Sequence, residues 1–427
     1  MMISQEFEDR LTPILPQIVA EFGTPFHIYD EAGIAVNGRR LKKTFANFPG
    51  FQEFFAVKAC PNPAILKIMA DLGFGFDCSS IPELILARQA GADADHIMFT
   101  SNNTSHEELF EALAEGGCIL NLDDISMIDK VPLFSKAVCF RYNPGATREG
   151  NAIIGNPEEA KYGVRDDQIA QAYSLAMKRG AQKFGLHTMI CSNQLDYQYM
   201  VETVKMILGV AERLYDDLGI DLDFVNIGGG IGIPYKPEQT EFDIKSFAQV
   251  SEEIFNSYKT ELFKIPKLYM ESGRYMTGPY GVLVTKVINT MDKYRRYVGV
   301  DACMSSLMRP ALYDAYHHIT ILNSAERGNE IVDVVGSLCE NNDKFAKQRL
   351  LPKAKLGDIM IIHDTGAHGH AMGFNYNGRL RPQELMLCKD DTVKLIRRAE
   401  TIHDYFATFK FVEQELCFEI GSNKVKK

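Results

Sequence analysis

The chain has 427 residues, of which 46% are hydrophobic and 24% charged, the composition of a globular protein with room for two domains. The net charge is −10 and the charges are spread along the chain, which disfavours nucleic acid or an anionic membrane as the main partner. No apolar run approaches the roughly 20 residues of a membrane helix, and nine cysteines without C-x-x-C spacing indicate reduced thiols, so we expect a cytoplasmic enzyme.

The first 30 residues predict helical segments followed by a strand. Residues 1–23 form an amphipathic segment interrupted by Pro13 and Pro16. Residues 24–30 have the pattern of a strand that the chain enters through Pro25. Because proline cannot donate to a β-ladder, we expect this to be an edge strand. A helical pattern then continues to about residue 45.

From residue 54 onward, short β-rich runs alternate with helical patterns. Strands that alternate with helices indicate right-handed parallel crossovers. Eight such strands favour a closed (β/α)₈ barrel over an open doubly wound sheet. The runs lie near Phe55, Phe76, Ile97, Ile119 and Val138, and at 184–189, 224–227 and 268–270. The long irregular stretch 142–163 is typical of a functional loop.

After residue 274, strand-like runs follow one another with little helix between them. These runs are 280–290, 297–300, 331–335, 358–362 and 392–397. The predicted fold class is therefore α/β, a (β/α)₈ barrel with a second, mainly β domain. We expect the barrel at residues 31–280 and the β domain at residues 1–30 and 281–427, with the early strand joining the β domain.

One lysine lies where a barrel enzyme places its chemistry. Residues 53–60 read Glu-Phe-Phe-Ala-Val-Lys-Ala-Cys, so Lys58 stands at the C-terminal end of an apolar strand. A desolvated ammonium lowers its pKa or forms a covalent bond, and Schiff-base chemistry uses both properties. The alternative is a lysine that simply extends from the strand end into solvent.

Two further clusters follow predicted barrel strands. Residues 226–232 read Asn-Ile-Gly-Gly-Gly-Ile-Gly, and glycine amides can surround a phosphate, although flexible turns have the same composition. Residues 270–274 read Met-Glu-Ser-Gly-Arg. This carboxylate and guanidinium suit a protonated ring nitrogen and a phosphate or carboxylate, or else they form an ordinary local ion pair.

The β domain carries three clusters with functional side chains. Arg309 and Tyr313 lie on a turn stiffened by proline, and Cys339 lies beside Glu340 in a polar loop. Imidazoles and a phenol follow within residues 363–377. The spacing of these histidines fits no common zinc pattern, so no metal is expected.

The motifs occur in an order that resembles a known family. They are Phe-Ala-Val-Lys-Ala, Phe-Asp-Cys-Ser-Ser-x-x-Glu, Gly-Gly-Gly, Glu-x-Gly-Arg, Met-Arg-Pro-Ala-Leu-Tyr and Cys-Glu-x-x-Asp. From about residue 24 to beyond residue 400, the chain resembles the pyridoxal-phosphate decarboxylases of the alanine-racemase-like fold. Within that group it is most similar to the diaminopimelate decarboxylases.

The resemblance implies a cofactor site for pyridoxal 5′-phosphate. Lys58 would bind the cofactor as an internal aldimine, and Glu271 would pair with its ring nitrogen and keep that nitrogen protonated. Tyr376 would lie close to the cofactor. The phosphate would be surrounded by Ser192, Gly228, Gly229, Gly230, Gly273 and Arg274.

The resemblance also implies a substrate site shared between two chains. Arg274, Arg309 and Tyr313 would bind the distal end of the substrate, helped by Glu340. Cys339, reaching in from the other subunit of a homodimer, would donate a proton after CO₂ leaves. The residues agree with this chemistry, because a second amino-acid head group needs a cation for its carboxylate and an anion for its ammonium, whereas an ornithine site would not need the arginine.

This chain departs from the family pattern at three positions. Where the family often has Gly-x-His-x-His-x-Gly-Ser, residues 185–192 read Gly-Leu-His-Thr-Met-Ile-Cys-Ser. We therefore predict that Met189 packs on the cofactor ring in place of a histidine, with His187 pointing elsewhere. The tyrosine of Gly-Ala-Tyr is replaced by His368, and the proline of Glu-Pro-Gly-Arg is replaced by Ser272.

Several functions remain open at this level. The leading hypothesis is decarboxylation of meso-2,6-diaminopimelate to L-lysine and CO₂. A related decarboxylase could act on carboxynorspermidine, ornithine or arginine instead. Alanine racemisation would leave Cys339, Glu340 and the distal arginine without a role. A non-catalytic cofactor-binding protein would resemble the barrel alone, and a barrel that binds only phosphate is the remaining alternative.

Overall fold

A computed structural model describes residues 4–134, 136–150, 153–258 and 264–409. Its strands are β1 (Phe26–Asp30), β2 (Gln52–Ala56), β3 (Gly75–Cys78), β4 (Ile97–Ser101), β5 (Ile119–Leu122), β6 (Val138–Asn143), β7 (Val164–Arg165), β8 (Phe184–His187), β9 (Phe224–Asn226), β10 (Lys267–Met270), β11 (Gly281–Asp292), β12 (Arg296–Val300), β13 (Ile319–Ile321), β14 (Asn329–Val335), β15 (Lys344–Pro352), β16 (Ile359–Ile362), β17 (Gln383–Leu387) and β18 (Val393–Arg397). Its α-helices are α1 (Gln5–Leu11), α2 (Leu15–Phe22), α3 (Glu31–Thr44), α4 (Pro63–Asp71), α5 (Ile81–Gln89), α6 (His106–Leu113), α7 (Ile169–Lys178), α8 (Tyr197–Leu218), α9 (Ile244–Ser257), α10 (Arg274–Thr277), α11 (Arg309–Tyr313) and α12 (Ile402–Phe406).

Eight parallel strands close into a barrel. The ring runs β2-β3-β4-β5-β6-β8-β9-β10 and returns to β2, and every neighbouring pair is parallel. Helices or, between β5 and β6, a 3₁₀ segment at Ile125–Lys130 make the crossovers. The predicted (β/α)₈ barrel is therefore confirmed, and all eight predicted strands belong to it.

Successive side chains of each barrel strand point alternately toward the surrounding helices and into the barrel. In β2, Phe55 packs outward against the helices, whereas Phe54 points inward. Inward residues at the same level of other strands complete a buried apolar plug, in which the Phe224 and Tyr269 rings stack with centroids 4.4 Å apart. Since side chains alternate along a strand, the next inward layer lies two residues further on. This plug closes the barrel below that second inward layer.

The second region is a mainly β assembly that includes the early strand. Its main order is β15-β14-β12-β11-β1-β17-β18, with β16 pairing β11 and β13. The prediction of an edge strand is wrong for β1, because β1 lies between β11 and β17. Pro25 precedes the strand, so residues 26–30 keep every amide needed for pairing on both sides. Strands β13, β15 and β17 were not predicted.

The N-terminal segment packs on this sheet. Pro16 lies in the first turn of α2, where a missing amide costs nothing, so it helps to start that helix. Phe7, Leu11 and Leu15 are buried against apolar residues of the sheet. None of the helices in the described ranges combines the length and apolarity needed to span a bilayer.

A buried carboxylate joins the sheet to the barrel beside the Lys58 turn. Glu384 of β17 accepts hydrogen bonds from the Tyr29 hydroxyl at 2.6 Å and from Asn62 Nδ2 at 3.0 Å. It also pairs with the Arg397 guanidinium, and His370 Nδ1 lies 3.7 Å away. Burial alone would raise the pKa of Glu384, but these partners outweigh burial and lower it to about 2.

We predict that Glu384→Gln destabilises the fold by about 3 kcal/mol at pH 7, because it leaves Arg397 without its buried partner. The folded pKa lies below the ordinary glutamate value, so the stabilisation is complete above about pH 5 and disappears as the pH falls toward 2. Urea unfolding of both proteins at several pH values measures this. The difference between them is expected to shrink on acidification.

Glu326→Gln is the matched control, since Glu326 is exposed. That change is expected to leave the unfolding free energy within about 0.5 kcal/mol of the parent at every pH. Equal effects of the two substitutions, or a Glu384 effect that does not vary with pH, would contradict the assignment of this junction.

Candidate active site

A polar layer lies directly above the apolar plug of the barrel. In each barrel strand we take the residue two positions after the one at the level of the plug. In seven of the eight strands this residue is polar. The layer consists of Ala56, Asp77, Thr100, Asn121, Arg141, His187, Asn226 and Glu271. All but Asn121 and Asn226 line one cavity. The alternation of the strands therefore concentrates acids, a guanidinium and an imidazole at the C-terminal mouth of the barrel.

Glu271 is an acid in this layer whose carboxylate is held in place by two neighbouring side chains. It follows β10, and its two carboxylate oxygens contact His187 Nε2 at 3.2 Å and Asn226 Nδ2 at 2.8 Å. Burial alone would raise the pKa of Glu271, but the imidazole and nearby cations outweigh it and lower the pKa below its ordinary value. Glu271 is thus held as a carboxylate at a fixed position in the cavity.

Lys58 lies in the 3₁₀ segment Val57–Ala59 that continues from β2. Its side chain is half exposed, and Nζ is 3.6 Å from Oδ2 of the buried Asp77. Burial, together with the Glu271 charge, raises the pKa of Asp77 to about 7, against the effect of the lysine. The amine therefore faces the cavity beside a carboxyl that titrates near neutral pH.

The predicted phosphate side of the cavity is formed by close backbone approaches. Gly230 has φ +94°, and a Cβ there would lie 2.7 Å from the Cys191 carbonyl oxygen. A Cβ on Gly273 would lie 2.7 Å from the Cβ of Ala59. Side chains at either position would fill the space, so both glycines are needed for the shape of the cavity. Gly229, Gly230, Gly273 and Ser192 line the cavity, and Gly228, with φ +68°, precedes them.

Two arginines meet at Tyr235, and one of them lines the cavity. Arg274 lines it, donates to the Tyr235 hydroxyl at 2.6 Å, and has Nη2 3.4 Å from Ser192 Oγ. Arg309 is only 2% exposed, and its guanidinium lies 4.5 Å from the centroid of the same Tyr235 ring. Tyr235 therefore connects the arginine predicted beside the phosphate with the one predicted to bind the distal end of the substrate.

The substituted histidine motif is arranged differently from the prediction. His187 does not point elsewhere: it lines the cavity, because it lies two residues beyond Gly185 on the inward face of β8. Met189 also lines the cavity, with Sδ 3.2 Å from the Gly229 amide nitrogen. The packing of Met189 on the cofactor ring stays a prediction. His368 lines the cavity too, and burial lowers its pKa well below the ordinary value.

Six predicted residues lie outside the lining of this cavity in a single chain: Gly228 and Arg309, described above, and Tyr313, Cys339, Glu340 and Tyr376. Cys339 is exposed, and its amide donates to Asn377 Oδ1 at 2.7 Å. Tyr376 is 53% exposed and Tyr313 is 38% exposed. Glu340 is half-buried and accepts from the Asn342 amide at 3.1 Å. The structure therefore places the loop of Cys339 beside the turn of Tyr376, and joins neither to the barrel cavity of its own chain.

The sequence reasoning missed several residues of the polar layer. Asp77, Arg141 and Asn226 were not singled out, although each is a polar residue at or near the end of an apolar strand. Arg141 lines the cavity, donates to the Met189 carbonyl oxygen at 3.0 Å and stacks on Tyr162 of the predicted functional loop. Within the described ranges, no group of three His, Cys, Asp or Glu side chains could hold a metal ion.

The residues of the cavity fit pyridoxal phosphate. A primary amine lies at its mouth, a carboxylate held below its ordinary pKa lies within it, and glycines leave space where any Cβ would intrude. Arg274 supplies a cation beside those glycines. These are the groups that an aldehyde, a ring nitrogen and a phosphate require.

Comparison with known proteins agrees with this fit. Residues 35–278 match the family model "Pyridoxal-dependent decarboxylase, pyridoxal binding domain". Protein TabA of Pseudomonas amygdali pv. tabaci is 46% identical over 95% of this chain and 96% of its own length. Diaminopimelate decarboxylase of Methanothermobacter thermautotrophicus is 35% identical over 91% of this chain and 92% of its own length.

A solved structure gives the same result. Diaminopimelate decarboxylase from M. jannaschii, crystallised in complex with L-lysine, superposes with a TM-score of 0.85 at 30% identity, covering 92% of this chain and 93% of that one. The family match covers more than half of the chain, and the relatives align over almost all of it. The chain therefore belongs to the pyridoxal-phosphate-dependent decarboxylases, within the diaminopimelate decarboxylase family.

Proposed function

We propose that this decarboxylase converts meso-2,6-diaminopimelate to L-lysine and CO₂. The observation that carries the proposal is the pair of arginines at Tyr235, since Arg309 is a buried cation beside the cavity. A buried guanidinium is satisfied best by a carboxylate that binds two of its N–H groups. Diaminopimelate brings such a carboxylate at the end remote from the reacting carbon. Relatives that are named diaminopimelate decarboxylases support this choice.

The site residues that the sequence predicts then have the following roles. Lys58 attaches pyridoxal phosphate, and Glu271 faces its ring nitrogen. Ser192, Arg274 and the glycines at 228–230 and 273 hold its phosphate. When bound, pyridoxal phosphate supplies a protonated ring that stabilises the negative charge left as CO₂ departs. The chain itself orients the leaving carboxylate and excludes water, while Arg309, Tyr313 and Glu340 hold the distal amino-acid head group.

We further propose that the active enzyme is a homodimer with shared sites. The reacting carbon needs a proton after the bond to CO₂ breaks, and a thiol can supply one. Cys339 is exposed in the single chain, with Tyr376 beside it, so this surface is accessible to the barrel mouth of a second copy. A two-fold axis would use the same contact twice and complete two sites. In this arrangement Tyr376 would enter the partner's site together with Cys339.

The proposal includes the compartment and the domain division. The eight cysteines in the described part of the chain are all unpaired, which supports a reducing compartment such as the cytoplasm. We propose residues 31–280 as the cofactor-binding domain. Residues 1–30 and 281–427 then form the domain that contributes substrate and dimer contacts.

A second candidate is a sister decarboxylase with another amino-acid substrate. The 46% identical relative is named only Protein TabA, and that name identifies no substrate. Position 189 also differs from the family pattern. Carboxynorspermidine, ornithine and arginine are the alternatives to be compared.

Substrate choice is tested by measuring CO₂ release from meso-diaminopimelate and from these three amines. We expect kcat/KM for diaminopimelate to be higher by about a hundredfold, because a substrate without the distal carboxylate leaves a buried guanidinium unpaired. If ornithine, arginine or carboxynorspermidine reacts equally well, the proposed substrate is incorrect.

Glu271→Gln is expected to retain bound pyridoxal phosphate and lose about a hundredfold or more in kcat, because a neutral amide no longer stabilises a protonated ring nitrogen. The control is Glu53→Gln. Burial raises the pKa of Glu53 to about 8, so that buried carboxyl is already mostly neutral at pH 7. Steady-state kinetics at pH 7 compare the two, and a similar loss in both would remove the charge-specific role of Glu271.

The shared-site model is tested by mixing two inactive variants, Lys58→Ala and Cys339→Ala, under conditions where subunits exchange. Each mixed dimer has one site free of both lesions, so it is expected to have about half the wild-type activity and a random mixture about a quarter. Mixing Lys58→Ala with Glu271→Gln is the control, since both residues lie in the barrel and every site of a mixed dimer then carries one lesion. Proven exchange without recovery in the first mixture would exclude composite sites.

A further inference from the structure

His317 has one defined hydrogen-bonding state in the structure. It lies between α11 and β13 and is fully buried. Its Nε2 is 2.8 Å from Arg309 Nη1, and its Nδ1 is 2.7 Å from the His363 carbonyl oxygen. A guanidinium can only donate and a carbonyl oxygen can only accept. The ring therefore carries its hydrogen on Nδ1 and accepts from Arg309 through the Nε2 lone pair.

The Arg309 guanidinium is fixed from two directions. Its face lies over the Tyr235 ring, and its Nη1 edge donates to His317. The His317 and Tyr235 rings also meet edge to face, with centroids 5.1 Å apart. Within the described ranges of the chain, His317 is the one hydrogen-bond partner of the Arg309 side chain. This hydrogen bond therefore orients the remaining N–H groups of the Arg309 guanidinium, which do not bond to the imidazole.

The backbone around His317 is held independently of Arg309. Arg349 Nη1 donates to the His317 carbonyl oxygen at 3.0 Å. The Arg349 guanidinium also stacks 3.8 Å from the centroid of the Tyr316 ring. The imidazole therefore projects from an anchored segment, and its lone pair points at Arg309 whether or not a ligand is bound.

We propose that His317 is a positioning residue for the substrate carboxylate. It anchors one edge of Arg309 so that the free edge of the fork meets the carboxylate of the distal α-amino-acid group. The inference rests on the proposed function, in which Arg309 binds that group. The ring must stay neutral, because an imidazolium would turn a second donor toward the guanidinium. Burial and the Arg309 charge both lower the pKa of His317 well below its ordinary value.

Two substitutions separate the acceptor from the rest of the ring. The amide of asparagine reaches the place of Nδ1, so His317→Asn keeps the donor to the His363 carbonyl oxygen and loses the acceptor for Arg309. The amide of glutamine reaches the place of Nε2, so His317→Gln retains an acceptor. L-lysine and cadaverine are the probes, since they differ only in the carboxylate that Arg309 would bind. Binding of each to the holoenzyme is measured by calorimetry.

We expect His317→Asn to weaken L-lysine binding about tenfold and to leave cadaverine binding unchanged. His317→Gln is expected to restore most of the L-lysine affinity. In Arg309→Met, adding His317→Asn is expected to have no further effect on L-lysine binding. Equal weakening of both ligands, an additive effect with Arg309→Met, or a wild-type protein that does not prefer L-lysine to cadaverine would overturn the proposal.

The tautomer of His317 can be measured in the wild-type protein, so this test does not depend on the folding of a variant. Nitrogen NMR of histidine-labelled protein at pH 7 is expected to show His317 as the neutral tautomer with hydrogen on Nδ1, and the imidazolium or the other tautomer would contradict the inference. The proposed function fails separately, through absence of CO₂ release from meso-diaminopimelate by the wild-type enzyme. The two failures are therefore distinguishable.

Discussion

The two-residue alternation of side chains along eight parallel strands determines both the stability and the chemistry of this protein. One inward layer is apolar and closes the barrel, with Phe54, Phe224 and Tyr269 among its members. The next inward layer is polar and opens to the cavity. A shift of one residue in any strand would exchange inward and outward side chains. The register that packs the core is therefore the register that assembles the active site.

The polar layer is stabilised by internal pairing because burying isolated charges is costly. Glu271 remains a carboxylate through His187 and Asn226, whereas Asp77 has its pKa raised to about 7 by burial and by the Glu271 charge. Two acids in one cavity thus differ in charge because their partners differ. The cation beside them, Lys58, is half exposed and is the group proposed to bind the cofactor. A carboxylate at Glu271 is the charge that the protonated ring nitrogen of the proposed cofactor site requires.

The sequence predicted the elements that depend on local pattern. All eight barrel strands follow from apolar runs separated by helices, and Lys58, Glu271 and Arg274 follow from their positions at strand ends. Contacts that depend on pairing between distant segments were not accessible in this way. The central place of β1 requires β17, whose polar and apolar residues give little strand signal. Arg141 could have been found by counting two residues beyond each plug position, since that rule also reaches Glu271.

In the proposed function, the two regions divide the work of the site along the length of the substrate. The barrel holds the groups near the reacting carbon, whereas Arg309 comes from the segment between β12 and β13 of the sheet. Glu384 holds the sheet against the turn that follows Lys58, through hydrogen bonds from the Tyr29 hydroxyl and Asn62 Nδ2. In the proposed function, the spacing between Lys58 and Arg309 would select substrate length, and Arg309, positioned by His317, would bind the carboxylate at the far end. Length and charge together would then distinguish a diamino dicarboxylate from a simple diamino acid.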